Sequence, residues 1–597
     1  MIKKGSKSDI IAQTTLSGSK DKKESDDQPI AHKLAEKQRE ISVAEFFEKN
    51  RHLLGFDNKK KAILTAIKEA VDNSLDACEE ARVLPEISVE IIDMQNDRYR
   101  IIVEDNGPGI VKKQIPNIFA RLLYGSKFHS MKQSRGQQGI GISAAALYGQ
   151  LTTGRPIKIV SRIAKDHPAH YYELRINTQN NMPEILKEGE APFSRDHGTR
   201  IELDLEATYS SGPQSVDAYM KQTAIVNPHA TLIFTNPKAE QIIFARATEE
   251  LPKEPKEIKP HPYGIEVGML IKMLSNTESR TLQSFLTNDF SRVSSTVAKE
   301  ICDAAEVLPN FKPSEVTRDQ AERMIQAIRK TKIMAPPTDC ISPIGEELLE
   351  KGLKKEINAE FYCATSRSPD VYRGNPFQVE AAIAYGGDLP ADKPVRIMRF
   401  ANRVPLLYQQ SACAINESMI ETGWRAYGLS QSQDSLPVGP AVIVVHIASV
   451  WAPFTSEAKE AIAHYPEIIK EVKLALQECG RKLAQYTLKK RKYTDELKKR
   501  GYIEKYIPFV AQVLKEMLSL KKENEEAIKT GLKEILEKKR GKLEDVSMEN
   551  EEYDEDFAKI GADDSSEKSD EEEGDDGEDD GKKSDSGHKG KPSKREK

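Results

Sequence analysis

Between Lys61 and Arg82 the chain runs twenty-two residues without a glycine or proline, in an amphipathic pattern that predicts one long helix. On its wheel Glu69, Asp72, Asn73 and Asp76 fall at i, i+3, i+4 and i+7 and share a face, whereas Ile67, Ala70, Val71 and Ser74 lie on others. An acidic stripe is commonly just a solvated helix face. This one holds no Lys or Arg to relieve repulsion among its carboxylates, and Asn is a poor former inside a helix. A hard cation such as Mg2+ against the stripe would account for both features, and it pairs naturally with phosphate.

Two loops follow. The strand pattern Arg100–Glu104 runs into Asp105-Asn106-Gly107-Pro108-Gly109-Ile110. Glycines there suit an ordinary type II turn, but a carboxylate at a strand end can also accept a hydrogen bond from an exocyclic amine such as adenine's. Further on, Gly136-Gln137-Gln138-Gly139-Ile140-Gly141 leads into the helical run Ile142–Leu147. Glycines let backbone N–H groups approach phosphate oxygens, and a helix N-terminus adds positive potential. No strand precedes this loop and no Lys-Ser/Thr pair ends it, which excludes a P-loop.

The expected fold class is α/β multidomain. Residues 1–40, rich in Lys, Ser, Asp and Gln, are expected to be a flexible arm. Residues 41–250 read as one α/β domain, with strands at Ile87–Asp93, Tyr99–Glu104, Tyr171–Asn177 and Thr199–Leu205. After a proline-bearing link, 264–332 carries short helical patterns and no strand signal. A second α/β region over 343–492 has strands near Phe377–Ala384, Arg396–Phe400 and Ala441–Ala448. Long helices at Pro466–Lys492 and Ile503–Lys539 close the folded part, the C-terminal helical region covering 493–543.

Charge separates the end from the body. Glu544 to Asp580 holds 20 Asp/Glu against two Lys, so 544–597 reads as a disordered acidic tail with a basic tip. The remainder is mildly basic, which suits an anionic partner. The apolar stretch Val438–Phe454 is interrupted by Pro440 and His446 and is shorter than the ~20 residues a membrane helix needs. With no apolar leader in the first residues, a cytoplasmic protein with no membrane partner is expected. Six scattered cysteines without a Cys-x-x-Cys pair argue against zinc or a disulfide framework.

Taken in order, Glu69-x-x-x-Asn73, Asp105-x-Gly107-x-Gly109, Gly136-x-x-Gly139-x-Gly141 and His197-Gly198-Thr199 resemble the Bergerat-fold ATPases of the GHKL superfamily, which includes gyrases, mismatch-repair clamps, histidine kinases and a heat-shock chaperone family. The resemblance implies an α/β sandwich binding ATP and Mg2+. Glu69 would be the general base that orients the attacking water, Asn73 a Mg2+ ligand and Asp105 the adenine reader supported by Thr199. Tyr124–Arg135, with Ser126 and Lys127, would be a lid over the phosphates, and Gly107, Gly109, Gly136, Gln137, Gln138, Gly139, Ile140 and Gly141 would complete the ATP site.

Within that superfamily, Ala401–Tyr408 (ANRVPLLY) resembles the transducer of topoisomerase VI B subunits, and 264–332 resembles their helix-two-turns-helix insert. In Trp451–Ile462, Lys459 matches the transducer lysine that reaches the γ-phosphate. The resemblance implies an ATPase subunit of the type IIB enzyme, in which two B subunits dimerise on ATP around a DNA duplex. A separate A subunit makes the double-strand break within a heterotetramer of two A and two B, so that one duplex passes through another and supercoils are relaxed or DNA decatenated. DNA contact is expected to be electrostatic. A histidine kinase would need an acceptor histidine ahead of its ATP domain; only His32 and His52 precede Glu69, and neither lies in a convincing acceptor helix. A degenerate scaffold that keeps the fold without turnover, or a mismatch-repair clamp, would share the same ATP-domain architecture. Intact Glu69, Asn73, Asp105 and Lys459 speak against the first, and the helical insert against the second.

Overall fold

The first sheet owes its shape to strict alternation. In the computed structural model, which describes residues 30–540 apart from 36, 37, 39, 128, 129, 137, 138 and 520, two short helices, α1 (Ile30–Ala35) and α2 (Val43–Lys49), lead into α3 (Lys59–Glu80). Strands β1 (Glu86–Asp93), β2 (Arg98–Glu104), β3 (Ile157–Arg162), β4 (His170–Asn177), β5 (Met182–Glu190), β6 (Gly198–Glu206), β7 (Thr231–Thr235) and β8 (Gln241–Phe244) form one sheet in the order β5-β4-β3-β6-β2-β1-β7-β8. Only β1 and β7 among these neighbours run parallel. Buried residues alternate along β3, β4 and β6, so one face packs a core and the other meets solvent. Helices α3, α4 (Ile115–Ala120), α5 (Gly141–Thr153) and α6 (Val216–Val226) supply the covering layer, and one core joins Ile67, Val71 and Leu75 of α3 to Leu203 of β6 and Tyr219 of α6.

Helix α3 starts where the Asn58 side chain accepts the Lys61 N–H at 2.8 Å, an N-cap that fixes the register of everything on it. It ends as Arg82 turns left-handed with φ 56°.

A small all-helical unit follows, α7 (Val267–Asn276), α8 (Leu282–Asp289), α9 (Ser295–Ala304) and α10 (Arg318–Lys330), around its own core of Phe285, Ile301 and Met324. Next come α11 (Glu346–Glu356), β9 (Phe361–Ser366), β10 (Asp370–Tyr372), β11 (Asn375–Tyr385), β12 (Arg396–Ala401), β13 (Val404–Pro405), α12 (Ala414–Glu421) and β14 (Ala441–Ser449). The second sheet runs β10-β11-β14-β12-β13, with β9 also paired to β11. Every residue of β14 is buried because both faces are covered. Val442 and Val444 share a core with α11, and Ile443, Val445 and Ile447 share one with α12 and the start of α13 (Pro466–Met517).

The chain divides into two compact units at Tyr486/Thr487. Helix α13 runs on to Met517 with Pro508 inside it, and α14 (Lys522–Arg540) follows. The break expected after Lys492 is therefore absent and a different one falls within 518–521, where Ser519 is left-handed with φ 51°. Residues 1–29 and 541–597, which hold most of the expected arm and the expected acidic tail, lie outside the described residues, while Ile30–Ala35 within the expected arm is helical. All six cysteines are free and buried. No helix among the described residues is long and apolar enough to cross a membrane.

Candidate functional site

A cavity of about 620 Å3 opens between α3, the loop after β2, the segment 124–141 and the turn that carries Lys459. Its floor is α3, but the acidic stripe does not act as one face. Glu69 and Asn73 line the cavity, whereas Asp72 and Asp76 are 2% and 6% exposed and turn away from it. The Tyr219 hydroxyl donates to Asp72 Oδ1 at 3.1 Å, and Oδ2 has no hydrogen-bond partner. Burial pushes the Asp72 carboxyl up to about 6, against the pull of Lys459 and Lys68.

Asp76 holds the glycine segment in place. Its carboxylate accepts from Arg135 Nη1 at 2.8 Å, Lys127 Nζ at 2.7 Å and the Gly136 N–H at 3.4 Å. Arg135 also pairs with Glu79 at 2.7 Å, and the His229 ring bonds Glu79 at 2.8 Å. Burial alone would raise the Asp76 and Glu79 carboxyls, yet the cations beside them hold both below the usual carboxylate range. The charges that relieve the stripe thus come from outside the helix.

At one end of the cavity the β2–β6 register sets Glu104 opposite Arg200, so Asp105 meets Thr199 just past the pair. Asp105 is 7% exposed, and its carboxylate accepts from Ser74 Oγ at 2.8 Å, Gly107 N–H at 2.9 Å and Thr199 N–H at 3.1 Å. Burial outweighs these bonds and raises its pKa. Thr199 Oγ1 lies 3.0 Å from Ser161 Oγ, which accepts the Ile110 N–H at 2.8 Å. Gly109 has φ 70°, and a Cβ there would overlap the Arg162 carbonyl. Gly107 is not part of the cavity wall; its N–H is spent on Asp105.

At the other end α5 begins at Gly141, so its first N–H groups face the cavity beside Gly136 and Gly139. Gly141 packs so closely on Glu69 that a Cβ would overlap the carboxylate. Ser126, Lys127 and Ile140 line the same end, while Gln137 and Gln138 lie outside the described residues. Lys459 enters from the second α/β region. It sits in a turn between the bridged residues Phe454 and Ile462 rather than at a helix start, with φ 53°. Its Nζ stands 3.6 Å from Glu69 Oε1. Burial would lower its pKa, but the carboxylates of Glu69, Asp72 and Asp76 overcome that and raise it, keeping the ammonium charged.

One cavity therefore joins an amine acceptor, a row of backbone donors, a carboxylate–ammonium pair and the open side chain of Asn73. Sequence reading missed Ser74, Tyr219 and Arg135. Their partners lie 31 to 147 positions away, so no local pattern marks them.

Residues 58–208 match the family model described as histidine kinase-, DNA gyrase B-, and HSP90-like ATPase, and residues 336–500 match that of the topoisomerase VI B subunit transducer. Fold and cavity thus define a gyrase-B-like ATPase. The type 2 DNA topoisomerase 6 B subunit of Methanococcoides burtonii is 54% identical over 491 residues, covering 82% of this chain and 79% of that protein. Its counterpart in Methanosarcina acetivorans is 51% identical over 484 residues, covering 81% and 78%. That of Archaeoglobus fulgidus is 48% identical over 486 residues, covering 81% and 80%. The chain belongs to the family of type 2 DNA topoisomerase 6 B subunits, whose members are ATP-hydrolysing subunits of a type II DNA topoisomerase.

Proposed function

We propose that ATP lies in the 620 Å3 cavity with its adenine amine at Asp105 and its phosphates at the N-terminus of α5, and that Glu69 and Lys459 carry out hydrolysis. The observation that carries this reading is the Lys459–Glu69 pair at 3.6 Å, set in the same cavity as the buried Asp105 carboxylate. Glu69 takes a hydrogen bond from the attacking water and accepts its proton as the bond to the γ-phosphorus forms. Lys459 leaves Glu69 for the phosphoryl oxygens, which frees the base and neutralises developing charge. Thr199 steadies Asp105, and Ser126, Lys127, Gly136, Gly139, Ile140 and Gly141, with Gln137 and Gln138, close on the phosphates. Gly107 and Gly109 shape the turn under the base. The exposed amide oxygen of Asn73, beside Glu69 and opposite the glycine loop, suits a Mg2+ ion completed by phosphate oxygens; it would supply charge neutralisation at the β- and γ-phosphates.

The relatives' names carry the rest of the proposal. The chain partners a topoisomerase VI A subunit and double-stranded DNA in the cytoplasm, as a heterotetramer of two A and two B. ATP-driven pairing of two B subunits gates passage of one duplex through a break made by A. The test is ATP hydrolysis and supercoil relaxation with and without a cognate A subunit, for wild type and Glu69→Ala. Relaxation should need both subunits and ATP, and the variant should lose hydrolysis. ATP turnover that never changes DNA topology, or relaxation by this chain alone, would overturn the reading.

A further inference from the structure

Between β12 and β13 the chain reverses through Asn402-Arg403, both left-handed with φ 48° and 64°, and both nearly buried at 3% and 4% exposure. Two-residue hairpin turns with both φ positive favour Asn and Gly; an arginine at the second position is held there by something beyond the turn. Each side chain reaches out of its own hairpin. Asn402 Nδ2 donates to the Ser134 carbonyl at 3.1 Å, and its Oδ1 accepts the Ser449 N–H at 2.9 Å at the end of β14. Arg403 Nη2 donates to the Pro343 carbonyl at 3.0 Å. The Arg403 N–H donates to His446 Nε2 at 3.0 Å, which leaves the proton of that ring on Nδ1, facing Glu380 at 2.8 Å.

The contact at Ser134 matters because of its neighbours. Gln133 clamps the Ser342 backbone from both sides, accepting its N–H at 2.7 Å and donating to its carbonyl at 3.3 Å. Arg135 is locked on Asp76 and Glu79 of α3. Three consecutive residues at the end of the 124–135 segment thus hold three different bodies: the link before α11, the β12–β13 turn and the helix that carries Glu69. A shift of this segment cannot leave Asn402 in place without breaking a buried hydrogen bond, at a cost of about 1–3 kcal/mol.

We infer that Asn402 is a positioning residue that couples the 124–135 segment to the central strand of the second sheet, a second route from nucleotide to transducer beside Lys459. This rests on the nucleotide reading of the cavity. Asn402→Asp keeps the acceptor for Ser449 and tolerance of the left-handed turn but sets a carboxylate oxygen against the Ser134 carbonyl; Asn402→Gly keeps the turn and loses both bonds.

The test is hydrogen–deuterium exchange of the full chain with and without Mg2+ and a non-hydrolysable ATP analogue, followed in residues 121–127 and 403–413. In wild type the analogue slows exchange in both. In Asn402→Asp and Asn402→Gly the 121–127 response persists, while the 403–413 response falls by about twofold or more. An undiminished 403–413 response in either variant overturns the proposal. So does collapse of the melting temperature and of both responses in both variants, which would make Asn402 merely structural. Absence of any 121–127 response in wild type overturns the nucleotide reading itself, and the coupling with it.

Discussion

The Lys459 ammonium stands 3.6 Å from the Glu69 carboxylate, and their side chains are only 9% and 13% exposed. A cation supplied by the second α/β region therefore sits on the carboxylate that the nucleotide-binding helix presents to the cavity. In this arrangement the base is occupied until phosphate offers the ammonium a better partner.

Replacing Lys459 with Met should lower kcat for ATP by about 10²–10³-fold, the usual effect of removing one group aimed at transition-state charge. Binding of a non-hydrolysable analogue should change far less, because Lys459 gives up its bond to Glu69 when it turns to the phosphates. Steady-state hydrolysis and analogue titration measure the two. Equal losses in both would show that Lys459 only holds the ground state.

Asp105 has three donors on it already, from Ser74, Gly107 and Thr199, and would still have to receive an amine. In Asp105→Asn an NH2 group replaces one acceptor and must face a donor. ATP affinity should fall by about 10–100-fold, the range for a hydrogen bond to a charged group. The discriminating ligand is a purine riboside triphosphate lacking the 6-amino group. Wild type should prefer ATP to it and Asp105→Asn should not; a preference that survives the substitution would place the amine elsewhere.

Much of the fold is legible because its strongest signals are local. The β-branched run Ala441–Ser449 and the stripe on α3 are read directly from spacing. The stripe's function is not. At 3.6 residues per turn, Asp72 lies about 60° to one side of Glu69 and Asn73 about 40° to the other, so a face that looks continuous splits between core and cavity. Tertiary partners settle which way each turns: Tyr219 draws Asp72 inward, and Arg135 and Lys127 draw in Asp76. Strand β5 is missed for the opposite reason. Its sequence MPEILKEGE is exposed along nearly its whole length, so an edge strand has no alternation to show. The C-terminal helices are misjudged because Pro508 and Gly501 read as interruptions, and α13 continues through both.

Asp72 should make stability depend on pH in an unusual sense. Its folded pKa is raised from the ordinary 3.8 to about 6, so the folded state binds the proton more tightly than the unfolded chain. The penalty is absent below 3.8, develops as pH rises toward 6 and is complete above it, at about 3 kcal/mol. Asp72→Asn removes it. The melting temperature of the variant relative to wild type should therefore increase from pH 5 to pH 7.5. A difference that is flat across that range would mean that Asp72 is not carrying a buried charge.

Two glycines of the site should fail in different ways when given a methyl group. At Gly109, with φ 70°, an added Cβ meets the backbone of Arg162, which cannot move aside, so Gly109→Ala should destabilise the fold by about 1–3 kcal/mol and lower the melting temperature. At Gly141 the obstacle is the Glu69 carboxylate, the end of a side chain with open cavity beside it. Glu69 can rotate away, so Gly141→Ala should melt close to wild type. The carboxylate would then stand about 1 Å or more from its productive position, and hydrolysis should fall by about 10²-fold. Measured together, melting temperature and kcat separate the two cases; Gly141→Ala that turns over ATP at the wild-type rate would show that the position of Glu69 against the start of α5 does not govern the chemistry.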